Sequence, residues 1–321
     1  MQDQDLHDTL AADLWADTQP PPDPGRLPLL AHYTSIHTLE RIVRTGEIWF
    51  SNPLYMNDVD ELRYGINLGL HTVRGHHGLR QALQPDHYNA LLDAFEAQYT
   101  AFDNDSAFDV YVFSCAEHDE DIGDDGLLSM WRGYGGDGNG VAIVFDMARL
   151  LALPGSPLLV RQVQYLSYEQ SEQWMDATVQ RFAESLARLG TVPDAMAAAA
   201  AALFERIRLF ALFTKHRGFH EEREWRIVYL REHDRENKLT QQLNYAIGGR
   251  GIEPRLRFTV AALGSAEADP PPLDDLVERI ILGPVLATPL ALRSVQRMLE
   301  IYRPAWSPRV ARSSTPYRAQ R

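Results

Sequence analysis

The stretch Glu221-Glu222-Arg223-Glu224-Trp225-Arg226-Ile227-Val228-Tyr229-Leu230 places three carboxylates and two guanidiniums directly before a hydrophobic run. Its β-branched and aromatic residues predict a strand. Side chains alternate along a strand, so Glu222, Glu224, Arg226 and Val228 are expected on one face and Trp225, Ile227 and Tyr229 on the other. The apolar face then meets the core. The polar face carries two carboxylates roughly 7 Å apart with an arginine beside the second. A solvated edge strand, its charges deterring aggregation, accounts for this pattern. A cleft suited to polyhydroxylated or cationic chemistry accounts for it too, and the choice depends on the rest of the chain.

The chain has 321 residues, 45% of them hydrophobic, enough for one large domain or two smaller ones. It contains no apolar run long enough to span a bilayer. The first thirty residues hold six aspartates and one arginine, unlike a secretory signal, so a cytoplasmic location without membrane association is expected. The single cysteine, Cys115, excludes an internal disulfide and reads as a buried structural thiol. A net charge of −13 argues against a broad basic face for nucleic acid.

Residues 1–26 read as an acidic appendage, with Leu6, Leu10 and Leu14 on one helical stripe before a proline-rich linker. One α+β domain is expected over 27–303, with a helical insertion at about 168–216 and a basic, proline-rich tail at 304–321. A strand at Leu29–Thr34 leads into a helix capped by Thr34 or Ser35 and closed at Gly46. A second strand, Glu47–Ser51, stops at Asn52-Pro53. Further strands are predicted at Val110–Cys115, Val141–Asp146, Val160–Leu166, Leu256–Val260 and Glu278–Leu282, with a helix at Pro289–Tyr302. Strands interspersed irregularly with helices favour α+β over a wound parallel sheet.

Several segments put polar groups next to aromatic surface. His32-Tyr33-Thr34 ends a strand ahead of a helix, where ligand sites often lie, though a lone histidine there is more often structural. Trp49 and Tyr55 flank Ser51 and Asn52, a set that can stack a flat ring and grip a ribose, or equally an aromatic strand and an Asx turn. Trp131 and Arg132 precede glycines that permit close backbone approach; an amphipathic helix with a glycine stop explains them as well.

Together the blocks His32-Tyr33-Thr34-Ser35, Gly46-Glu47-Ile48-Trp49-Phe50-Ser51-Asn52-Pro53 with Asn57-Asp58, Leu128-Ser129-Met130-Trp131-Arg132-Gly133-Tyr134-Gly135 with Gly140–Asp146, and Glu222–Arg226 resemble an uncharacterised bacterial domain family. Their order is also similar to that of the ADP-ribosyltransferase superfamily, especially its nucleic-acid-modifying branch. That resemblance implies a split antiparallel β-sheet core with helical insertions, and NAD as substrate. It implies His32 on the NAD ribose, Phe50 or Ser51 on the second strand, and Glu224 stabilising the oxocarbenium ion as nicotinamide leaves. Glu222 would then orient or deprotonate the acceptor. Arg226 or Arg132 would hold the pyrophosphate, and Trp49 or Tyr55 would stack the nicotinamide, with Tyr33, Thr34 and Trp131 completing the pocket. No metal is required. The acceptor would be a nucleic acid or protein, in the setting of a toxin or phage-defence effector with an antitoxin or defence-system partner.

Two other readings stand beside it. One is a metal-dependent nuclease or phosphodiesterase built on Asp58, Glu61, Glu222 and Glu224, although no phosphate-binding glycine loop or His-Glu-x-x-His pair supports it. The other is a non-catalytic nucleotide-binding sensor.

Overall fold

A computed structural model describes residues 10, 12–15, 27–56, 59–151, 153, 155–189, 195–248, 251–264 and 269–317. In chain order its main elements are β1 (Leu29–Thr34), α1 (Ile36–Thr45), β2 (Ile48–Ser51), α2 (Val59–Gly75), α3 (His77–Ala82), α4 (Pro85–Asn104), β3 (Val110–His118), α5 (Leu128–Gly133), β4 (Val141–Phe145), β5 (Leu158–Gln162), β6 (Gln164–Leu166), α6 (Tyr168–Leu189), α7 (Met196–Phe213), β7 (Thr214–His216), β8 (Glu224–Leu230), β9 (Leu243–Gly248), β10 (Gly251–Phe258), β11 (Val277–Leu282), α8 (Pro289–Tyr302) and β12 (Val310–Arg312). The domain expected over 27–303 divides into two compact units. Unit 1 comprises residues 1–20, 53–109 and 163–219; unit 2 comprises 21–52, 110–162 and 220–321. Among the described residues no helix is long and apolar enough to cross a membrane.

Unit 1 is helical. The alanine run opens α7, which is apolar on nearly all sides and accordingly buried. Glycines on α2 bring the two helices together: a Cβ on Gly69 would stand 2.5 Å from Ile207 Cγ2, and one on Gly65 2.7 Å from Ala211 Cβ. Phe204 meets Phe95 and Phe102 of α4 edge-on. Leu10 and Leu14 of the predicted N-terminal stripe are buried. Arg206 ties down the end of this segment: its guanidinium lies 4.7 Å from the Trp15 ring and 4.6 Å from that of Trp174 while donating to the Leu14 carbonyl. Leu6 and the Pro20–Gly25 linker lie outside the described residues. The strand predicted at Val160–Leu166 is two strands in different sheets: β5 pairs with β8, whereas β6 pairs in parallel with β7 in unit 1.

Unit 2 is built on a ten-stranded, largely antiparallel sheet whose main path runs β12-β11-β4-β1-β3-β2-β10-β9, with β8 and β5 attached through β3. Ala116 of β3 pairs with Glu224 of β8 and Ala31 of β1, while Val112 pairs with Val228 of β8 and Ser51 of β2. β8 therefore fills one edge of β3. β1 and β2 share the other edge and part from each other along it, so the sheet is split there. Helix α1 joins the two strands. Ser35 caps it by accepting from the Thr38 amide, and Gly46 closes it at φ 71°. One face of the sheet carries a core that includes Leu30, Phe50, Phe113, Phe145, Ile227 and Phe258. A smaller cluster of Ala31, Tyr33, Ala116 and Trp131 occupies the opposite face.

The charged stretch departs from its predicted form. β8 begins at Glu224, because Arg217–Glu222 is a 3-10 helix and Arg223 takes φ 45°. Alternation therefore does not reach Glu222, and the expected pair of carboxylates on one strand face is not formed. Nor is β8 a solvated edge, since it lies between β3 and β5 with all seven residues buried. Residues 304–321, expected as a tail, include a 3-10 segment with Trp306 fully buried and β12, which pairs in parallel with β11. The hairpin partner strand β9 had no counterpart among the predicted strands.

Candidate functional site

The split between β1 and β2 opens a cavity of about 460 Å³ within unit 2. Its lining includes His32 and Thr34 from β1, Arg41 from α1, Trp49 and Ser51 from β2, and Glu253 and Arg255 from β10. His32 stands on the main-core face of β1, its ring 4.3 Å from that of Phe113. Trp49 and Ser51 alternate with the core residues Ile48 and Phe50, so they leave β2 on the opposite face. Only because the strands have parted can these side chains line one space.

Each polar group has a fixed place. His32 Nδ1 lies 2.9 Å from the Ser114 carbonyl. A carbonyl only accepts, so Nδ1 carries the proton and Nε2 is the acceptor nitrogen of the neutral ring. Burial pushes this imidazole below its ordinary pKa, and the bond to Ser114 partly opposes the shift. Arg255 is paired across the β2–β10 ladder with Ser51 and donates to its hydroxyl. The same guanidinium forms an ion pair with Glu253, two residues earlier on the same strand face. Arg255 thus holds a hydroxyl and a carboxylate in register. Trp49 donates from Nε1 to Glu47 at 2.8 Å, and its ring lies beneath the guanidiniums of Arg41 at 3.6 Å and Arg257 at 4.6 Å. The ring is already a platform for arginines, which places cationic groups beside a carboxylate, a hydroxyl and a neutral imidazole.

Of the residues singled out in the sequence, His32, Thr34, Trp49 and Ser51 meet here. Tyr33 points the other way. Its hydroxyl accepts from the Leu127 amide, its ring meets Trp131 edge-on, and burial raises its pKa to about 12. Trp131 is fully buried and donates to the Asp125 carbonyl, while Arg132 is exposed near the Tyr317 ring. Glu224 pairs with Ala116 and Arg226 with Ser114, so both side chains also lie on the Tyr33 face. His32 and Glu224 therefore stand on opposite faces of the sheet, and the expected convergence of His32, Tyr33, Ser51, Trp131 and Glu224 on one cleft does not occur. Glu224 instead meets Arg226 through two contacts, 2.8 Å to Nε and 3.1 Å to Nη2, with both residues buried. Glu222 accepts from the Tyr134 hydroxyl at 3.2 Å. Tyr55 belongs to unit 1, in the 3-10 turn Pro53–Tyr55.

The crowding of charge has a structural answer. Arg223 pairs with Glu117 and Asp119, and Arg226 with Glu224. For the nuclease reading, Glu61 belongs to unit 1, Glu222 and Glu224 belong to unit 2, and Asp58 lies outside the described residues. Among the described residues no three His, Cys, Asp or Glu side chains cluster to hold a metal ion.

Sequence reasoning missed Arg41 on α1 and, on β10, Glu253 and Arg255. The signal on β10 was present: Glu253, Arg255 and Arg257 alternate with the buried Leu256 and Phe258, a period-two pattern interrupted to the eye by Pro254. No curated protein and no solved structure matches the chain. Residues 130–227 match the family model described as "Protein of unknown function (DUF2971)", a span that holds Trp131 and Glu224 but neither the β1–β2 split nor β10.

Proposed function

We propose that unit 2 is an NAD-cleaving, ADP-ribosyltransferase-like enzyme whose site is the cavity at the β1–β2 split, with Glu253 rather than Glu224 as its carboxylate. The observation that carries this reading is the meeting of His32, Ser51 and Glu253 in one cavity, with Arg255 fixing two of them. Breaking the nicotinamide–ribose bond leaves an oxocarbenium-like centre. A carboxylate held beside it stabilises the developing positive charge and accepts a hydrogen bond from a ribose hydroxyl. His32 Nε2 supplies a second acceptor for the ribose diol. Arg41 and Arg255 offer guanidiniums to the pyrophosphate. Nicotinamide departs as a neutral amide, and a nucleophilic group of a protein or nucleic acid captures the ribose carbon and loses its proton. The split sheet supports the same reading, since the superfamily that the sequence resembles is expected to have one.

The test is to incubate the full chain with NAD and follow nicotinamide release by chromatography, with label transfer to DNA, RNA and cell extract measured in parallel. Release is expected from the wild type. Glu253→Gln should lower it by about 10²–10³ while NAD binding persists, because the amide keeps the shape without the charge. NAD binding without release would favour a sensor. Release unaffected by Glu253→Gln but abolished by Glu224→Gln, in a folded protein, would return the catalytic role to β8.

A further inference from the structure

Unit 1 holds a cavity of its own, about 290 Å³, between the start of α2, the end of α7 and strands β6 and β7. Phe210 and Ala211 line it from α7. Three rings are contiguous along its wall: Tyr64 and Tyr168 meet edge-on at 5.0 Å, and Tyr168 and His216 lie 5.1 Å apart. Tyr168 is 60% exposed, so much of this aromatic residue remains accessible to solvent beside the cavity. The Tyr64 hydroxyl oxygen is buried and has no hydrogen-bond partner among the described residues. A buried hydroxyl in that state is costly unless a ligand meets it.

Charge selects the ligand class. Lys215 lines the cavity and is itself 2% exposed, with its ammonium 4.7 Å from the Phe219 ring, so a cation entering would meet a like charge nearby. Glu61 and Asp60 line it as well and oppose a phosphate or carboxylate. A neutral planar ring avoids both conflicts. It also needs a hydrogen-bonding edge, because the Tyr64 hydroxyl, unpartnered among the described residues, can both donate and accept. The volume falls just below the usual range of small-molecule sites, roughly 300–1,000 Å³, so only a compact ligand fits.

We propose that this cavity is a small-molecule binding site for the neutral base of a nucleoside, stacked on Tyr168 with its polar edge at the Tyr64 hydroxyl. The stacking needs only a π face, which every base has. Specificity among bases then comes from the edge facing the Tyr64 hydroxyl. The inference does not depend on the NAD reading, which concerns other residues in unit 2.

The experiment titrates the full chain with adenosine, guanosine, cytidine and uridine by calorimetry and tryptophan emission. Trp174 is the local reporter, stacked on Phe210 at 3.9 Å and 11°. At least one nucleoside should bind saturably. Tyr168→Ala removes an exposed ring and should weaken it tenfold or more. Tyr64→Phe keeps the ring and loses the hydroxyl, so a fall of about fivefold reports that single bond; thermal melts confirm that both variants fold. Three outcomes overturn the proposal: no saturable binding of any nucleoside up to millimolar concentration, an affinity unchanged in both variants, or tighter binding of choline or inorganic phosphate than of every nucleoside.

Discussion

Arg226 sits in the interior of a ten-stranded sheet with its guanidinium on Glu224, and both side chains are about 6% exposed. Taking two charges out of water costs several kcal/mol each, so such a pair contributes little net stability while either member alone is badly placed. Glu224→Gln or Arg226→Met should therefore each destabilise unit 2 by about 3–5 kcal/mol in urea unfolding. The double change Glu224→Leu/Arg226→Met should recover most of that loss. Losses that simply add would mean that the two residues do not answer each other. The sequence displayed these charges plainly, but their burial could not be read from it. Alternation assumes an extended backbone from Glu222 onward, and Arg223 breaks that assumption at φ 45°. Glu253 lay outside the strand predicted at Leu256–Val260, although the ladder from Gly251 runs through it and past Pro254.

At the scale of elements, what was legible followed from local chemistry. Ser35 and Gly46 bound α1 where a capping hydroxyl and a left-handed turn predict, and α8 begins at Pro289 behind the capping hydroxyl of Thr288. The illegible elements depend on distant partners. Two prolines flanking Trp306 look like a tail until β12 is seen beside β11. Trp306 is fully buried, the Arg303 guanidinium lies 5.6 Å from its ring, and Arg309 donates to the carbonyls of Asp274 and Val277. Trp306→Ala should cost about 3–5 kcal/mol, the usual range for emptying a large aromatic site. Trp306→Phe should cost much less, since it leaves a ring in the core and removes an indole N–H that has no partner among the described residues. Equal losses from the two changes, measured in the same urea titrations, would show that the segment docks through something other than the bulk of this ring.

For the whole molecule, the chain leaves the sheet twice, after β2 and after β5, and each time builds part of the helical unit before returning. Sequence order therefore mixes the two candidate sites: Ser51 and Glu61 are ten positions apart yet belong to different units. No reading of neighbouring motifs could have sorted them, because the assignment depends on which segments fold back together. Ligands can sort them. A ligand that binds only the native form protects the openings that destroy its site, by about 2.7 kcal/mol at a hundred times its dissociation constant. Under the assignments made above, hydrogen exchange with a non-cleavable NAD analogue should slow amides of β1, α1, β2 and β10, whose side chains line the larger cavity. A bound nucleoside should instead slow the first turns of α2, the end of α7 and β7. Protection of the α7–β7 segment by the NAD analogue, with β10 unchanged, would place the dinucleotide in the helical unit and remove Glu253 from its chemistry. Protection of both regions by either ligand would show that the two units open as one, and the affinities of the Tyr168→Ala and Glu253→Gln variants would then have to assign the sites.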